Sequence, residues 1–167
     1  MGDLLLGCIR HALSKKERRR VVEELRKRFS DLEINVKSQI EIGTCGKKTI
    51  YFVNSEPIAL RDESGRLIPL LRFIYKANTM LGLPLVVVDM GAVKHILNGA
   101  DVMAPGIVRI IGSFSKGDLA LVVDEEYGKP LAVCEALYSS EEISRMSKGK
   151  VLKNLHYVGD KIWKLKF

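Results

Sequence analysis

Glycines separate short apolar runs in the second half of the chain. These glycines are Gly112, Gly117, Gly128, Gly149 and Gly159. The runs between them have the length and the composition of β-strands. Many short strands would leave many unpaired edges, and a sheet that curls round to close on itself removes those edges. The spacing therefore predicts a small barrel-like sheet in this half of the chain.

One short helix is expected to interrupt this sheet. Asp89 follows an apolar, strand-like run and can cap a helix from Met90 to Leu97, which Gly99 would end. The strands predicted around this helix are all short and flanked by turn residues. They are Leu85–Val88, Ile107–Ile111, Asp118–Val123, Pro130–Ala136, Val151–Val158 and Lys161–Leu165.

The first half of the chain mixes helical and strand patterns, which makes the fold class α+β. Ser14 and Glu17 have the spacing of a capping box and predict a helix over Lys15–Phe29. A second helix is predicted over Leu70–Met80. The strands predicted in this half are Ile34–Ile42, Lys48–Phe52 and Pro57–Leu60.

A helical pattern stops and an apolar run begins around Gly82, Leu83 and Pro84. We place a domain boundary there, with a first domain of residues 1–83 and a second of residues 84–167. The chain is long enough for two small cores, one in each domain.

Basic residues are in excess and unevenly placed. The chain has 27 Lys and Arg against 20 Asp and Glu, a net charge of +7. After Glu142, seven basic residues face only Asp160, a clustering typical of a phosphate-binding surface. A solvated strand face remains the alternative. The basic helix Lys15–Arg28 has four open interpretations: RNA contact, a solvated face, a membrane surface or a protein contact.

Several classes of function are disfavoured. The longest apolar run, Leu81–Met90, is too short and interrupted to cross a bilayer, so no membrane partner is expected. Cys8, Cys45 and Cys134 are far apart, and we expect three buried or half-buried thiols in a reducing cytoplasm. The sequence suggests no nucleophile–base pair, metal-ligand set or phosphate-binding loop. We therefore expect no enzymatic activity, no catalytic residue, no metal and no cofactor.

Ordered motifs in the second half resemble the PUA domain, a module named after pseudouridine synthases and archaeosine transglycosylases. They follow the order expected of that domain and span about half of the chain. The motifs are Asp89–Lys94, Gly99–Ile107, Phe114–Asp118, Pro130–Val133, Gly149–Tyr157 and Gly159–Trp163. The resemblance implies a C-terminal PUA pseudo-β-barrel with a short inserted helix.

The segment Pro69–Arg72, after a hairpin and before the PUA-like part, resembles the N-terminal, pre-PUA domain of one family. This is the malignant-T-cell-amplified, or translation-machinery-associated, family with its archaeal single-chain relatives. The resemblance implies a cytoplasmic RNA-binding protein that acts on the small ribosomal subunit or tRNA in translation initiation, reinitiation or recycling. It also implies a protein partner with an initiation-factor-like domain.

In PUA proteins the inserted helix, the loop after it and the last strands form the surface for structured RNA. The residues carried over by position come from two segments. They are Lys94, Asn98, Gly99, Ala100, Asp101 and Val102, with Lys150, Lys153 and Asn154 opposite. Lys94 and Asn98 share a helix face, and the glycine loop is expected to offer backbone N–H groups to phosphate. Helix capping by Gly99 and core packing by Val102 remain open alternatives.

A second function also remains open, in which the chain is the RNA-gripping subunit of a tRNA or rRNA modification or ribosome-assembly complex. Chains of modification enzymes usually join a PUA domain to a catalytic domain with an essential acid. Residues 1–83 look too small for such a domain. His156 and Trp163 could suggest chemistry or base stacking, but we interpret both as packed structure. We interpret Asp124–Glu126 as an exposed turn.

Overall fold

The computed structural model describes residues 8–167 and divides the chain into two compact units. The first unit contains the chain up to Gly82 together with Leu165–Phe167, and the second contains Leu83–Lys164. No helix within residues 8–167 combines the length and the apolar character that a bilayer span requires.

The first unit contains a five-stranded antiparallel sheet and two helices. The strands are β1 (Ile9–Ala12), β2 (Ile40–Cys45), β3 (Lys48–Val53), β4 (Glu56–Arg61) and β5 (Leu67–Pro69). The helices are α1 (Lys15–Arg28) and α2 (Leu71–Ala77). Each strand pairs with the next one along the chain, so the sheet is a simple meander.

The first helix, α1, begins where the sequence predicts it to begin. The side chain of Ser14 accepts a hydrogen bond from the backbone N–H of Glu17, and the Glu17 carboxylate accepts one from the backbone N–H of Ser14. This reciprocal capping box satisfies two backbone donors at the start of the helix. Leu25 and Phe29 are buried and anchor the helix in the core of the unit.

The strand predicted over Ile34–Ile42 is wrong in its first half, because β2 begins only at Ile40. The side chain of Asn35 accepts a hydrogen bond from the N–H of Lys37 (2.8 Å), and Ser38 Oγ accepts one from the N–H of Asn35 (3.0 Å). These local bonds between side chain and backbone hold the segment in a turn and keep it out of the sheet.

The C-terminal residues return to the first unit. Arg72 of α2 donates a hydrogen bond to the carbonyl of Leu165 (3.1 Å). The ring of Phe167 lies edge-on to Phe52, with the ring centroids 5.8 Å apart. The strand predicted over Lys161–Leu165 is wrong, because the chain there forms turns.

The second unit is a six-stranded sheet with short helices between its strands. The strands are β6 (Leu85–Val88), β7 (Val102–Met103), β8 (Ile107–Ile111), β9 (Leu119–Asp124), β10 (Pro130–Ala136) and β11 (Lys150–Tyr157). The helices are α3 (Met90–Ile96), α4 (Ser140–Ser144) and a 3-10 helix over Ala104–Gly106. The strand order is β7-β11-β10-β9-β6-β8, in which only β6 and β9 are parallel neighbours.

The two edge strands of this sheet, β7 and β8, follow one another in the chain, and the 3-10 helix joins them. Its ends are tied to both sides of the unit, since Gly106 accepts a hydrogen bond from the N–H of Asp89 (2.9 Å) and Ala104 donates one to Gly149 (2.8 Å). The sheet thus curls round an apolar core that includes Val86 and Leu152. The predicted α+β class with a pseudo-β-barrel is confirmed.

The expectation of three free thiols is wrong for two of the cysteines. Pairing of β1 with β2 sets Ile9 opposite Thr44 and brings Cys8 beside Cys45, and the two form a disulfide. Their Cα atoms are 4.4 Å apart, as for closely opposed residues on antiparallel strands. The sequence conceals this pair because 37 positions separate the two cysteines. Cys134 is a free thiol, and its burial raises its pKa.

We expect the disulfide to add about 4 kcal/mol to the free energy of unfolding, because closing a long loop lowers the entropy of the unfolded chain. In oxidising buffer Cys8→Ser should therefore unfold at a lower denaturant concentration than the wild type. In dithiothreitol, which reduces the disulfide, the two proteins should unfold at the same denaturant concentration. Cys45→Ser should have the same free energy of unfolding as Cys8→Ser. The variant with both substitutions should be no less stable than either single variant. A single variant that unfolds like the wild type in both buffers would contradict the prediction.

Candidate nucleic-acid interface

A groove opens on the second unit where α3, the loop after it, β7 and the start of β11 meet. Its volume is ≈ 580 Å³. Most of its wall is apolar and comes from residues such as Ala92, Ile96, Met103 and Pro105. A largely apolar cleft with a few polar groups at its rim is the usual form of a ligand site in proteins.

Exposed basic side chains lie on two of the elements that form this groove, and of these His95 and Lys150 line it. Lys94 and His95 lie on α3, and Lys150 and Lys153 lie on β11. Lys150 Nζ is 2.9 Å from the Asp101 carboxylate, which therefore offsets one positive charge at the rim. Lys94 and Lys153 remain exposed to solvent and available to an anion.

The Asp101 carboxylate holds the wall of the groove together. Burial alone would raise its pKa, but the hydrogen bonds from Lys150 and from the backbone N–H of Asn154 (2.7 Å), with the charge of Lys153, lower that pKa on balance. The group is thus ionised at neutral pH and ties the loop after α3 to two residues of β11.

Asn154 fastens the loop and the end of α3 to β11. Its side-chain amide donates hydrogen bonds to the carbonyls of Ile96 (3.1 Å) and Ala100 (3.0 Å). The carbonyl of Ile96 lies at the helix end and also accepts a hydrogen bond from the N–H of Gly99 (3.0 Å), so Asn154 is its second donor. Asn154 Oδ1 is buried and accepts no hydrogen bond within residues 8–167. The amide nitrogen of this side chain therefore serves to hold the loop and the end of α3 against β11.

Gly99 and Val102 also shape the groove from inside. Gly99 has a φ of +92°, and a Cβ there would lie 3.2 Å from the ring of Tyr157. Glycine suits both this backbone conformation and this close approach. Val102 is 2% exposed and pairs with Leu152 between β7 and β11. These observations fit the alternatives that the sequence left open, in which Gly99 caps the helix and Val102 packs in the core.

The expectation that the glycine loop offers its backbone N–H groups to phosphate is wrong for three residues. Asn98 and Ala100 donate their N–H groups to the carbonyl of His95, and Gly99 donates its N–H to Ile96. These bonds close the end of α3 and leave the donors occupied. An anion at this loop would therefore be bound by side chains.

The nine candidate residues lie on α3, the loop after it, β7 and β11, and they differ in exposure. The exposed ones are Lys94, Asn98, Ala100, Lys150 and Lys153. The more buried ones, which shape the loop and its attachment to β11, are Gly99, Asp101, Val102 and Asn154. A part for any of them in RNA binding stays a prediction.

The groove also contains residues that the sequence did not single out. His95 follows Lys94 on α3, and Pro105 and Met103 add apolar surface, with Met103 49% exposed. The position of His95 next to Lys94 could have suggested it. A single exposed Met or Pro at a strand end has no pattern of its own, so only the fold reveals its place.

A buried polar pair lies at the C-terminal end of β11. His156 is 1% exposed, and its Nδ1 is 2.9 Å from Asp160 Oδ2. Asp160 also accepts hydrogen bonds from the N–H groups of Tyr157 and Trp163. Burial opposes the ionisation of Asp160, but the bond to His156 and the other hydrogen bonds lower its pKa on balance. His156 is packed structure, as predicted, and Trp163 is half-buried.

No metal centre is evident in the part of the chain that the structure describes, since no three His, Cys, Asp or Glu side chains are grouped there as a metal site requires. The groove itself offers mainly apolar surface with a few polar groups, and the exposed cations Lys94 and Lys153 lie on two of the elements that form it. These groups suit binding and orientation of an anionic molecule with flat apolar faces.

We expect Asp160→Asn to lower the free energy of unfolding at neutral pH by about 1 to 3 kcal/mol, as for the loss of hydrogen bonds to a charged group. Because the pKa of Asp160 is lowered by folding, its contribution is complete above the ordinary aspartate value of about 3.9 and is lost as the pH falls through the folded value. Urea unfolding at a series of pH values should show wild type and variant converging in acid. A difference in the free energy of unfolding between wild type and variant that grows as the pH falls would argue against this role.

We expect Gly99→Ala to lower the free energy of unfolding by about 1 to 3 kcal/mol, because the variant strains its φ and crowds Tyr157. Gly149→Ala is the matched control, since Gly149 has a φ of +94° but open space where a Cβ would lie. Thermal unfolding of Gly149→Ala measures the stability lost through the backbone conformation alone. The additional loss in Gly99→Ala measures the effect of the contact with Tyr157. Equal losses would mean that the contact with Tyr157 costs nothing.

Comparison with protein families divides the chain in the same way as its fold. The model of the PUA domain matches residues 84–158, and a domain of unknown function (DUF1947) matches residues 9–77. An uncharacterized protein of Methanocaldococcus jannaschii is 43% identical over 94% of this chain and 96% of its own length. Translation machinery-associated protein 20 of Saccharomyces cerevisiae is 32% identical, over 76% of this chain and 72% of its own. Malignant T-cell-amplified sequence 2 of Homo sapiens is 33% identical, over 78% and 73%.

Two solved archaeal structures resemble the whole chain. A hypothetical protein of the hyperthermophile Pyrococcus horikoshii has a TM-score of 0.80 at 38% identity, covering 93% of this chain and 98% of that one. A PUA domain protein of Aeropyrum pernix, crystallised as a tartrate complex, has a TM-score of 0.82 at 28% identity, covering 95% and 91%. The likeness extends over both units of the chain.

Proposed function

The chain belongs to the family of PUA-domain proteins that includes translation machinery-associated protein 20 and the malignant T-cell-amplified sequences, and we propose that it binds structured RNA through the groove of its second unit. The name of translation machinery-associated protein 20 links that relative to translation, and we extend that role to this chain. Its part is to bind and position, with no reaction of its own.

The observation that carries the proposal is the combination of exposed cations and apolar surface on elements that are held together by hydrogen bonds. Lys94 and Lys153 stand on different elements, which Asn154 and Asp101 join. Lysines in such positions contact phosphates and set the register of an RNA, and apolar groups such as Met103 accept the faces of bases or ribose. Affinity should come mainly from phosphate contacts and shape.

The RNA is proposed to be ribosomal RNA of the small subunit, or tRNA, in initiation, reinitiation or recycling. A protein with an initiation-factor-like domain is proposed as a partner, and the cytoplasm as the place of action. The disulfide of Cys8 and Cys45 is compatible with that place if the chain comes from a hyperthermophilic archaeon, because intracellular proteins of such organisms often contain disulfides.

The test is binding to purified small ribosomal subunits and to bulk tRNA, measured over a range of salt concentrations. We expect Lys94→Glu with Lys153→Glu to weaken binding at least tenfold and to lower the slope of log affinity against log salt by about 2, near one for each lost phosphate contact. The variant Lys116→Glu with Lys129→Glu changes the net charge by the same amount outside α3 and β11, and it should bind RNA nearly as the wild type does.

The outcomes separate the proposals. Loss of subunit binding in the groove variant alone would support the translation role. Binding of tRNA without binding of subunits would favour the RNA-gripping subunit of a modification complex. Equal losses in both double variants would mean that net charge, and not the groove, drives binding. Absence of RNA binding even at low salt would overturn the proposed function.

A further inference from the structure

The first helix carries a second concentration of positive charge, on the unit that lacks the groove. Over 14 residues, α1 has eight basic and three acidic side chains. We propose that its exposed face is a second RNA site, which binds the phosphate backbone of an RNA double helix. The inference rests on the proposed function only for the class of ligand, and it assigns that ligand to a different unit.

Two of the eight basic side chains are committed to the protein itself. The guanidinium of Arg18 donates hydrogen bonds to the carbonyls of Ser38 (2.7 Å) and Asn35 (3.2 Å), and Arg26 donates one to the carbonyl of Ile34. These bonds attach the turn before β2 to the side of the helix. They make α1 a fixed element of the unit, so its remaining cations are carried on a rigid support.

The acidic side chains of α1 are mostly engaged as well. Glu17 belongs to the capping box, and Glu24 bonds to Arg61 of β4 at 2.6 Å. Six exposed basic residues remain, and none of them forms an ion pair within the described part of the chain. They are Lys15, Lys16, Arg19, Arg20, Lys27 and Arg28. Glu23 is the remaining acid of the helix and is exposed among these cations.

The exposed cations form a continuous strip, because their spacing follows the helical repeat. Lys16, Arg19, Arg20, Glu23 and Lys27 are separated by steps of three and four residues and so share one face. A helix of this length extends for about 21 Å, far enough to reach several successive phosphates of a nucleic acid. The strip lies on the side of the helix opposite the buried Leu25 and Phe29.

The composition of the strip favours a double helix over the other anionic surfaces. No aromatic residue occurs in α1 on which unpaired bases could stack, so single-stranded RNA would gain only its phosphate contacts. Membrane binding by a surface helix needs an apolar face to insert, and the apolar residues Leu25 and Phe29 are buried within the unit. Duplex RNA shows mainly phosphate and ribose at its surface, which matches a strip of lysine and arginine.

A blunt-ended RNA duplex about two turns long provides the test, with affinity measured over a range of salt concentrations. We expect Arg19→Glu, Arg20→Glu and Lys27→Glu together to weaken binding at least tenfold and to lower the salt slope by about 2 to 3. We expect Glu23→Gln to strengthen binding about twofold to fivefold at low salt, because it removes a negative charge from the strip. This gain cannot result from loss of folding.

The control for net charge is a triple variant with Lys47→Glu, Lys76→Glu and Lys166→Glu, which are exposed lysines of the same unit outside α1. It should keep most of the affinity for the duplex. Equal losses in the two triple variants, or an unchanged affinity in the α1 variant, would overturn the inference. Loss of binding to small ribosomal subunits with normal binding to the duplex would also overturn it, in favour of an acidic protein surface.

The groove variant Lys94→Glu with Lys153→Glu distinguishes this inference from the proposed function. If both sites contact RNA, the groove and α1 variants each weaken binding to small subunits, and the two effects combine. If the groove variant binds subunits normally while the α1 variant does not, the groove is not the site and the inference on α1 stands. The opposite result leaves the proposed function intact and removes the second site.

Discussion

Two hydrogen bonds from the amide of Asn154 hold the end of α3 against β11, and the geometry of the groove depends on them. Asp101 strengthens this connection, because it accepts the backbone N–H of Asn154 and pairs with Lys150. In such a partly buried network, removing one group leaves its partners unsatisfied, so the members hold one another in place. Lys94 and Lys153 therefore lie on elements whose relative position is held by other residues, Asp101 and Asn154.

Several acidic side chains accept hydrogen bonds from backbone N–H groups, in the first unit Glu17 and Asp62 and in the second Asp101 and Asp160. Asp124, which we expected in an exposed turn, is 4% exposed and accepts hydrogen bonds from the N–H groups of Glu126, Tyr127 and Lys129. Burial opposes its ionisation, but these bonds lower its pKa on balance, as they do for Asp160.

Prediction from the sequence succeeded where the signals are local. The capping residues Ser14 and Asp89 lie within three residues of the N–H groups that they bind, and both helices that they begin were predicted within one or two residues of their observed ends. Three of the missed elements are short or weakly patterned, although α4 does begin with a capping box of Ser139 and Glu142, the signal that predicts α1. The strand β1 is exposed along its length and has no apolar alternation, β7 has two residues, and α4 has five. Of the candidate site, the sequence indicated the segments but not which side chains are exposed.

The sequence by itself determined the α+β class, the order of PUA motifs and the excess of cations, because these depend on residue types and on neighbours along the chain. Only the tertiary structure decided that Cys8 bonds to Cys45, that Asp101 and Asn154 brace the groove, and which arginines of α1 are free. Asp101 and Asn154 are 53 positions apart, and such contacts depend on the register of paired strands. That register follows from the packing of the whole unit, which no local pattern contains.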